Sequence, residues 1–348
     1  MTITNIALYS GWGPEARRRN PGDELCHLGA VKLLEEQGIT QLIDVRRSIH
    51  PILNPWNGDL IIGGGTVLPA VFEPWVGPGL KCARRKYVFG SGCLSPDELS
   101  RKGIVEFDQN AYRDVHVVGV RGPSSAQYFR QYFGRTVNFI GDLAFAFAQD
   151  QPSPPSSPNA VFFVIESTSP ASRLGSTLHD VVGVCTSLIG SGMLDSFKST
   201  LCTTGDGFEL FHQTDLSRIF DDHVDLPSSY SLVSEIKSSS FVVTERLHPA
   251  IIAICLGKPF IYIQTTSKSY DLQRLLCAIS PHHVPEFLFL DMIRGNHPLS
   301  QKSMLGLLSE DLPYELVTVA GLIRERLTHA AKQLAWILKK NQADYREE

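Results

Sequence analysis

Two doubly wound α/β domains facing across a cleft are the fold this sequence predicts, on three observations. Short β-branched and apolar runs alternate with helix-period segments along the whole chain, the pattern of a parallel sheet covered by helices. Gln149 to Pro158, QDQPSPPSSP, places four prolines and three serines in ten residues, and the alternation restarts after it. Such a stretch reads as a linker. Finally, 348 residues is an ordinary length for two domains, each able to bury its own core. The expected division is 1–148, a linker at 149–158, a second domain at 159–312, and a closing helix at 313–348 packed across both.

Composition narrows the function. With 43% hydrophobic and 20% charged residues the chain reads as globular, and a formal charge of −4 argues against nucleic acid as a general partner. Any cationic site must therefore be local. The seven cysteines form no CxxC pair and several lie in apolar runs, so free, buried thiols in a reducing compartment are expected, with no metal site. The amino terminus lacks the basic flank and long apolar region of a secretion signal, and no stretch reaches about 18 uninterrupted apolar residues. The expected location is the cytoplasm.

In the first half, Asn5 to Tyr9 predicts a strand, and Ser10 to Asp23 a loop containing Arg17, Arg18 and Arg19. Three adjacent cations are either solvated or face an anion; an acidic carrier on the ligand would suit the second case. Glu24 to Gln37 predicts an amphipathic helix whose core side offers Leu25, Leu28, Val31, Leu33 and Leu34. Asp23 is placed as its cap, with Asn20 and Gly22 shaping the turn. Leu42 to Val45 is a second strand, and Asp59 to Leu68 a third that runs into Gly63, Gly64 and Gly65. Glycines at a strand end suit the floor of a cleft, but the run is neither GxGxxG nor a P-loop. Lys86 to Cys93 and Val115 to Val120 repeat the design. The latter ends in Arg121-Gly122-Pro123-Ser124-Ser125 before a helix over Ala126 to Phe133. An arginine at a strand end beside helix-cap hydroxyls suits phosphate or carboxylate, although Arg121 pairing with a carboxylate fits as well. Val137 to Ile140 predicts one more strand, followed by Gly141-Asp142 and the apolar run Leu143 to Phe147.

In the second half, strands are expected at Val161 to Ile165 and Phe197 to Thr203, with helices at Leu178 to Ser191 and around Phe208 to Phe220; the short segment Val224 to Leu226 and then Ser231 to Lys237 lead on from there. Phe241 to Thr244 then meets a charged knot, Glu245, Arg246 and His248. An apolar helix closed by Gly257 and a strand from Phe260 to Ile263 follow. In a parallel sheet this knot falls at a strand's carboxyl end and a helix's amino end, where ligands collect. Taken alone it also fits an Arg246–Glu245 ion pair with His248 capping the helix. Lys268 follows the next strand, as a third cation or a surface lysine, and Tyr270 to Ala278 looks helical. Tyr314 to Lys340 carries an apolar stripe (Leu316, Val319, Leu322, Ile323, Leu327, Leu334, Ile337, Leu338) opposite Arg324, Arg326, Lys332 and Lys339. It suits packing across the domains, or peripheral contact with a membrane surface.

These pieces together resemble the polysaccharide pyruvyl transferase family over most of the chain. Asn20-Pro21-Gly22-Asp23 is similar to its N-x-G-D element, IIGGGTVL at 61–68 to its glycine-rich strand end, and Val120-Arg121-Gly122 with Ser124 or Ser125 to R-G-x-x-S. Gly141-Asp142-Leu143-Ala144 resembles its D-P-A element, with Leu143 in place of proline. Thr244 to His248 with Gly257-Lys258-Pro259 resembles its R-x-H helix and G-x-P turn.

The resemblance implies a glycosyltransferase-B-like architecture and transfer of a pyruvyl group from phosphoenolpyruvate to two hydroxyls of one sugar, forming a cyclic ketal in polysaccharide biosynthesis. It assigns donor-site roles to Arg121, His248 and Lys268, with Arg246 beside them. A doubly anionic donor needs fixed cations, and arginine forks match both of its groups. His248 is the expected general acid for the enol carbon. Asp23, Asp142 and Glu245 are candidates to orient the sugar or take its proton. Phosphoenolpyruvate is a co-substrate, and no cofactor is expected. The sugar's carrier, whether nucleotide, lipid or polymer, stays open. A nucleotide-sugar glycosyltransferase and a catalytically silent carbohydrate-binding protein are the rival readings.

Overall fold

The computed structural model describes residues 6–10, 21–45, 55–74, 76–155, 160–166, 198–204, 222–225, 228–264, 267–281, 288–291 and 309–344. The chain divides into two compact units, one of Met1–Phe147 with Leu322–Glu348 and one of Ala148–Gly321. Each is a doubly wound parallel sheet, the Rossmann-like class the alternation predicts.

The first unit holds β1 (Ile6–Tyr9), β2 (Leu42–Asp44), β3 (Asp59–Gly63), β4 (Thr66–Leu68), β5 (Arg85–Cys93) and β6 (Val115–Val120). Strand order is β2-β1-β3-β5, with β6 and short β4 also pairing β5, and every pairing is parallel. β1 and β3 are buried along their whole length, as parallel strands covered on both faces must be. The helices are α1 (Pro21–Glu35), α2 (Pro96–Arg101) and α3 (Pro123–Phe133). Proline suits a helix's first turn because its missing N–H has no partner there anyway, and all three helices begin with one.

Three local readings change. α1 opens at Pro21, so Asp23 lies inside its first turn and is not its cap, and Leu28 is 44% exposed instead of joining Leu25, Leu33 and Leu34 in the core. Val137 to Ile140 forms no full strand. It follows β6 through a single parallel bridge, Val120 to Phe139, with hydrogen bonds from Val120 N to Asn138 O and from Ile140 N to Val120 O, each 2.9 Å. Its local β-propensity finds only one turn's worth of edge to pair with.

The second unit contains β7 (Ala160–Glu166), β8 (Lys198–Thr204), β9 (Asp222–Asp225), β10 (Phe241–Thr244), β11 (Phe260–Gln264) and β12 (Phe289–Asp291), in the order β12-β11-β10-β7-β8-β9, all parallel. The helices among the described residues are α4 (Ser229–Ser238), α5 (Leu247–Leu256) and α6 (Ser267–Ile279). The helices expected at 178–191 and 208–220, and part of the linker, lie outside the described residues. What is described of that linker is tied down: Gln149 N donates to Cys255 O at 3.2 Å and Ser153 N to Leu256 O at 2.9 Å.

The last helix, α7 (Leu312–Asp344), begins in the second unit and continues as part of the first. Of its expected stripe Leu316, Val319, Ile323, Leu327, Leu334 and Leu338 are buried, whereas Leu322 is exposed. No helix among the described residues is long and apolar enough to cross a membrane. Cys26, Cys82, Cys93, Cys255 and Cys277 are thiols outside any disulfide, with Cys82 and Cys277 exposed.

Lys258 is out of keeping with its surroundings. It precedes β11, at the edge of the sheet opposite the strands' carboxyl ends, and is 2% exposed with no hydrogen-bond partner at Nζ among the described residues. Burial, and then the charge of Lys237, pull its ammonium down to about 8 from 10.5. The unfolded chain holds this proton more tightly, so the penalty is full below pH 8 and fades as pH rises towards 10.5. Lys258→Met is expected to stabilise the fold at pH 7 by about 1–3 kcal/mol, with a smaller gain at pH 10. Urea unfolding at the two pH values measures both.

Candidate functional site

In the first unit the chain leaves β1 towards β2 on one side of the sheet and β3 towards β5 on the other. The switch point, where open α/β sheets hold ligands, therefore lies above the carboxyl ends of β1 and β3. Ser10 follows β1 there, and Gly63, Gly64 and Gly65 close β3. Gly64 has φ +81°, and a Cβ on it would lie 2.4 Å from Cys26 Cβ, so its lack of side chain lets α1 rest on the turn. The Ser91 hydroxyl pins the same turn, 3.0 Å from both Ile62 O and Gly64 O, and Gly92 N donates to Gly65 O at 2.7 Å.

Arg121 is set into this frame. Its N–H donates to Ser91 O at 3.0 Å and its Nη1 to Thr66 Oγ1 at 2.8 Å, and the residue is 4% exposed. A Cβ on Gly92 would come within 2.7 Å of its Cζ, so the absent side chain at 92 makes the room the guanidinium occupies. The neighbouring serines act otherwise than expected. Gly122 is the N-cap of α3 and no side chain caps it, while Ser124 and Ser125 lie inside the first turn, buried. Ser125 Oγ accepts from Cys93 N at 3.2 Å, which ties α3 to β5 instead of capping the helix.

Asp23 and Asp142 gather around Cys26. Asp142 is 1% exposed, and its Oδ1 accepts from Ala144 N at 3.0 Å and from Cys26 Sγ at 3.3 Å. Burial, then the charges of Asp142 and Asp23, push the Cys26 thiol well above its ordinary range, which keeps it protonated and a donor. Burial and Asp23 likewise raise Tyr9, on β1. Two buried carboxylates at this edge can accept hydrogen bonds from a polyol.

In the second unit the switch point lies between β7 and β10, and the charged knot stands on it. Arg246 N donates to Thr244 Oγ1 at 2.8 Å and the Thr244 hydroxyl to Arg246 O at 3.2 Å, folding the chain tightly from strand into helix. Glu245 is 3% exposed. Arg246 is the N-cap residue of α5, so His248, second in the helix, is not its cap. Every other residue of α5 is buried, and His248 alone is half-buried. Lys268 is second in α6, just past β11, and also half-buried. Asn20 and Arg17 to Arg19 lie outside the described residues.

Sequence reading passed over Ser10, His27, Asp44, Thr66 and Gly92. His27 sits between Leu25 and Leu28 in a helix read only for its apolar side, and no local spacing links it to its partners.

Fold and site together define a protein of two Rossmann-like units with arginine, histidine and lysine at the edges where such sheets hold ligands. Among similar solved structures are an uncharacterized protein of Klebsiella pneumoniae subsp. pneumoniae NTUH-K2044 (13% identical, TM-score 0.44, covering 83% of this chain and 93% of that one) and Anabaena Alr3699/HepE in complex with UDP and glucose (12%, 0.45, 96% and 98%). A variant of S. aureus TarM in complex with Fondaparinux, alpha-GlcNAc-glycerol and UDP is a third (14%, 0.44, 80%), of which this chain spans only 54%. No curated protein matches the chain. The family model for polysaccharide pyruvyl transferase matches residues 20–267, and the chain belongs to that family. Its class is thus a transferase of polysaccharide biosynthesis.

Proposed function

We propose that the protein moves the pyruvyl group of phosphoenolpyruvate onto two hydroxyls of one sugar, forming a cyclic ketal on a cell-surface glycan precursor in the cytoplasm. What carries this reading is the family match across residues 20–267 together with Arg121 and His248 at the ligand edges of their sheets. Arg121 and Lys268, with Arg246 beside His248, hold the donor's carboxylate and phosphate. His248 protonates the enol methylene carbon, which makes C2 electrophilic towards the first sugar hydroxyl. The second hydroxyl then displaces phosphate, whose departing charge the cations stabilise. Asp23, Asp142 and Glu245 orient the sugar. The scheme uses no metal and no cofactor beyond the co-substrate.

Carbon-labelled phosphoenolpyruvate incubated with candidate nucleotide-, lipid- and polymer-linked sugars tests it. Label is expected in the carbohydrate with one phosphate released per label. Consumption of a sugar nucleotide with phosphoenolpyruvate untouched would establish a glycosyltransferase instead.

A further inference from the structure

Ser10, just after β1, His27 of α1 and Asp44 at the end of β2 meet at the ligand edge of the first sheet. His27 Nδ1 lies 3.0 Å from Ser10 Oγ, and its Nε2 lies 3.5 Å from Asp44 Oδ2. A carboxylate facing Nε2 keeps the ring proton there, which leaves the Nδ1 lone pair to accept the Ser10 O–H. Ser10 is 0% exposed and His27 8% exposed, whereas the Asp44 side chain is 19% exposed. The imidazole therefore stands between an enclosed hydroxyl and a carboxylate at the rim. This order of groups lowers the cost of removing a proton from the serine oxygen, or from any hydroxyl bonded to it.

We propose that Ser10, His27 and Asp44 form the proton-accepting chain for the acceptor sugar; the inference rests on the pyruvyl transfer proposed above. As the first sugar oxygen bonds to C2, the C2–C3 π electrons take a proton at C3 from the acid already assigned. The sugar hydroxyl's proton passes to Ser10 Oγ while the Ser10 proton moves to His27 Nδ1, and Asp44 stabilises the imidazolium. When the second oxygen bonds to C2, the C2–O bond to phosphate breaks and the departing phosphate carries the second hydroxyl's proton. Enclosure keeps bulk water from Ser10, and the relay requires that the acceptor hydroxyl reach Ser10 Oγ on binding.

Wild-type protein and the His27→Gln and Asp44→Asn variants, each checked for folding by thermal melting, are assayed for phosphate release from phosphoenolpyruvate with the acceptor found above. Glutamine can keep hydrogen bonds but cannot take a proton. His27→Gln is expected to lower kcat by about 10²-fold or more with KM for phosphoenolpyruvate changed less than about 3-fold, and Asp44→Asn by about 10-fold. A merely structural His27 predicts less folded protein but normal kcat per folded molecule, and that result overturns the relay. If His27→Gln does not fold, normal kcat in Asp44→Asn does the same. Wild-type protein that releases no phosphate with any acceptor sinks the pyruvyl-transfer reading and the relay together. Wild-type turnover with undiminished variants sinks the relay alone.

Discussion

Arg121→Lys lowers kcat/KM for phosphoenolpyruvate by about 10²-fold or more, an expected loss of about 3 kcal/mol in transition-state binding. Lysine keeps the charge but presents a single ammonium where arginine offers a rigid fork able to engage two oxygens at once. The site is built for the fork: the backbone of 121 is bonded to Ser91 O, Nη1 is bonded to Thr66 Oγ1, and Gly92 leaves space for the guanidinium. Gly92→Ala supplies the companion test, because it crowds Cζ without removing the charge and should cost less than Arg121→Lys. Steady-state kinetics on variants with wild-type melting temperatures measures both. Unchanged kinetics in Arg121→Lys would remove Arg121 from the donor site.

His248→Ala is expected to lower kcat by about 10²–10⁴-fold while phosphoenolpyruvate still binds, since a general acid acts on the barrier more than on ground-state affinity. The substitution should be mild for folding. His248 is the half-buried member of an otherwise buried helix, and the core side chains Ile251, Ile252 and Ile254 that anchor α5 are untouched. Calorimetric titration with phosphoenolpyruvate, alongside labelled turnover, separates the two effects. Retained turnover would mean that the proton comes from another group. Loss of binding with kcat intact would make His248 a donor-holding cation instead.

Much of the architecture was legible because parallel α/β units announce themselves locally. The runs at Phe241–Thr244 and Val115–Val120 form strands with the bounds their β-branched composition implies. The knot after Thr244 falls at a strand-to-helix turn for the same reason. Local reading failed where one residue type serves two roles. Asp23 looks like a cap, yet Pro21 opens the helix first; Ser125 looks like a cap, yet its oxygen receives the Cys93 N–H. Val137 to Ile140 has strand composition but finds only a single bridge beside β6.

Order along the chain, carried by periodicity and glycine endings, determined that there would be two sheets with cations and a histidine at their ligand edges. Tertiary structure alone decided the pairings. Arg121 reaches Thr66 across 55 residues, Cys26 reaches Asp142 across 116, and His27 has both Ser10 and Asp44 within reach only because β2 pairs with β1. Propensity and period act over a few residues, whereas strand order is settled by which faces bury together, so contacts that depend on strand order leave no local trace.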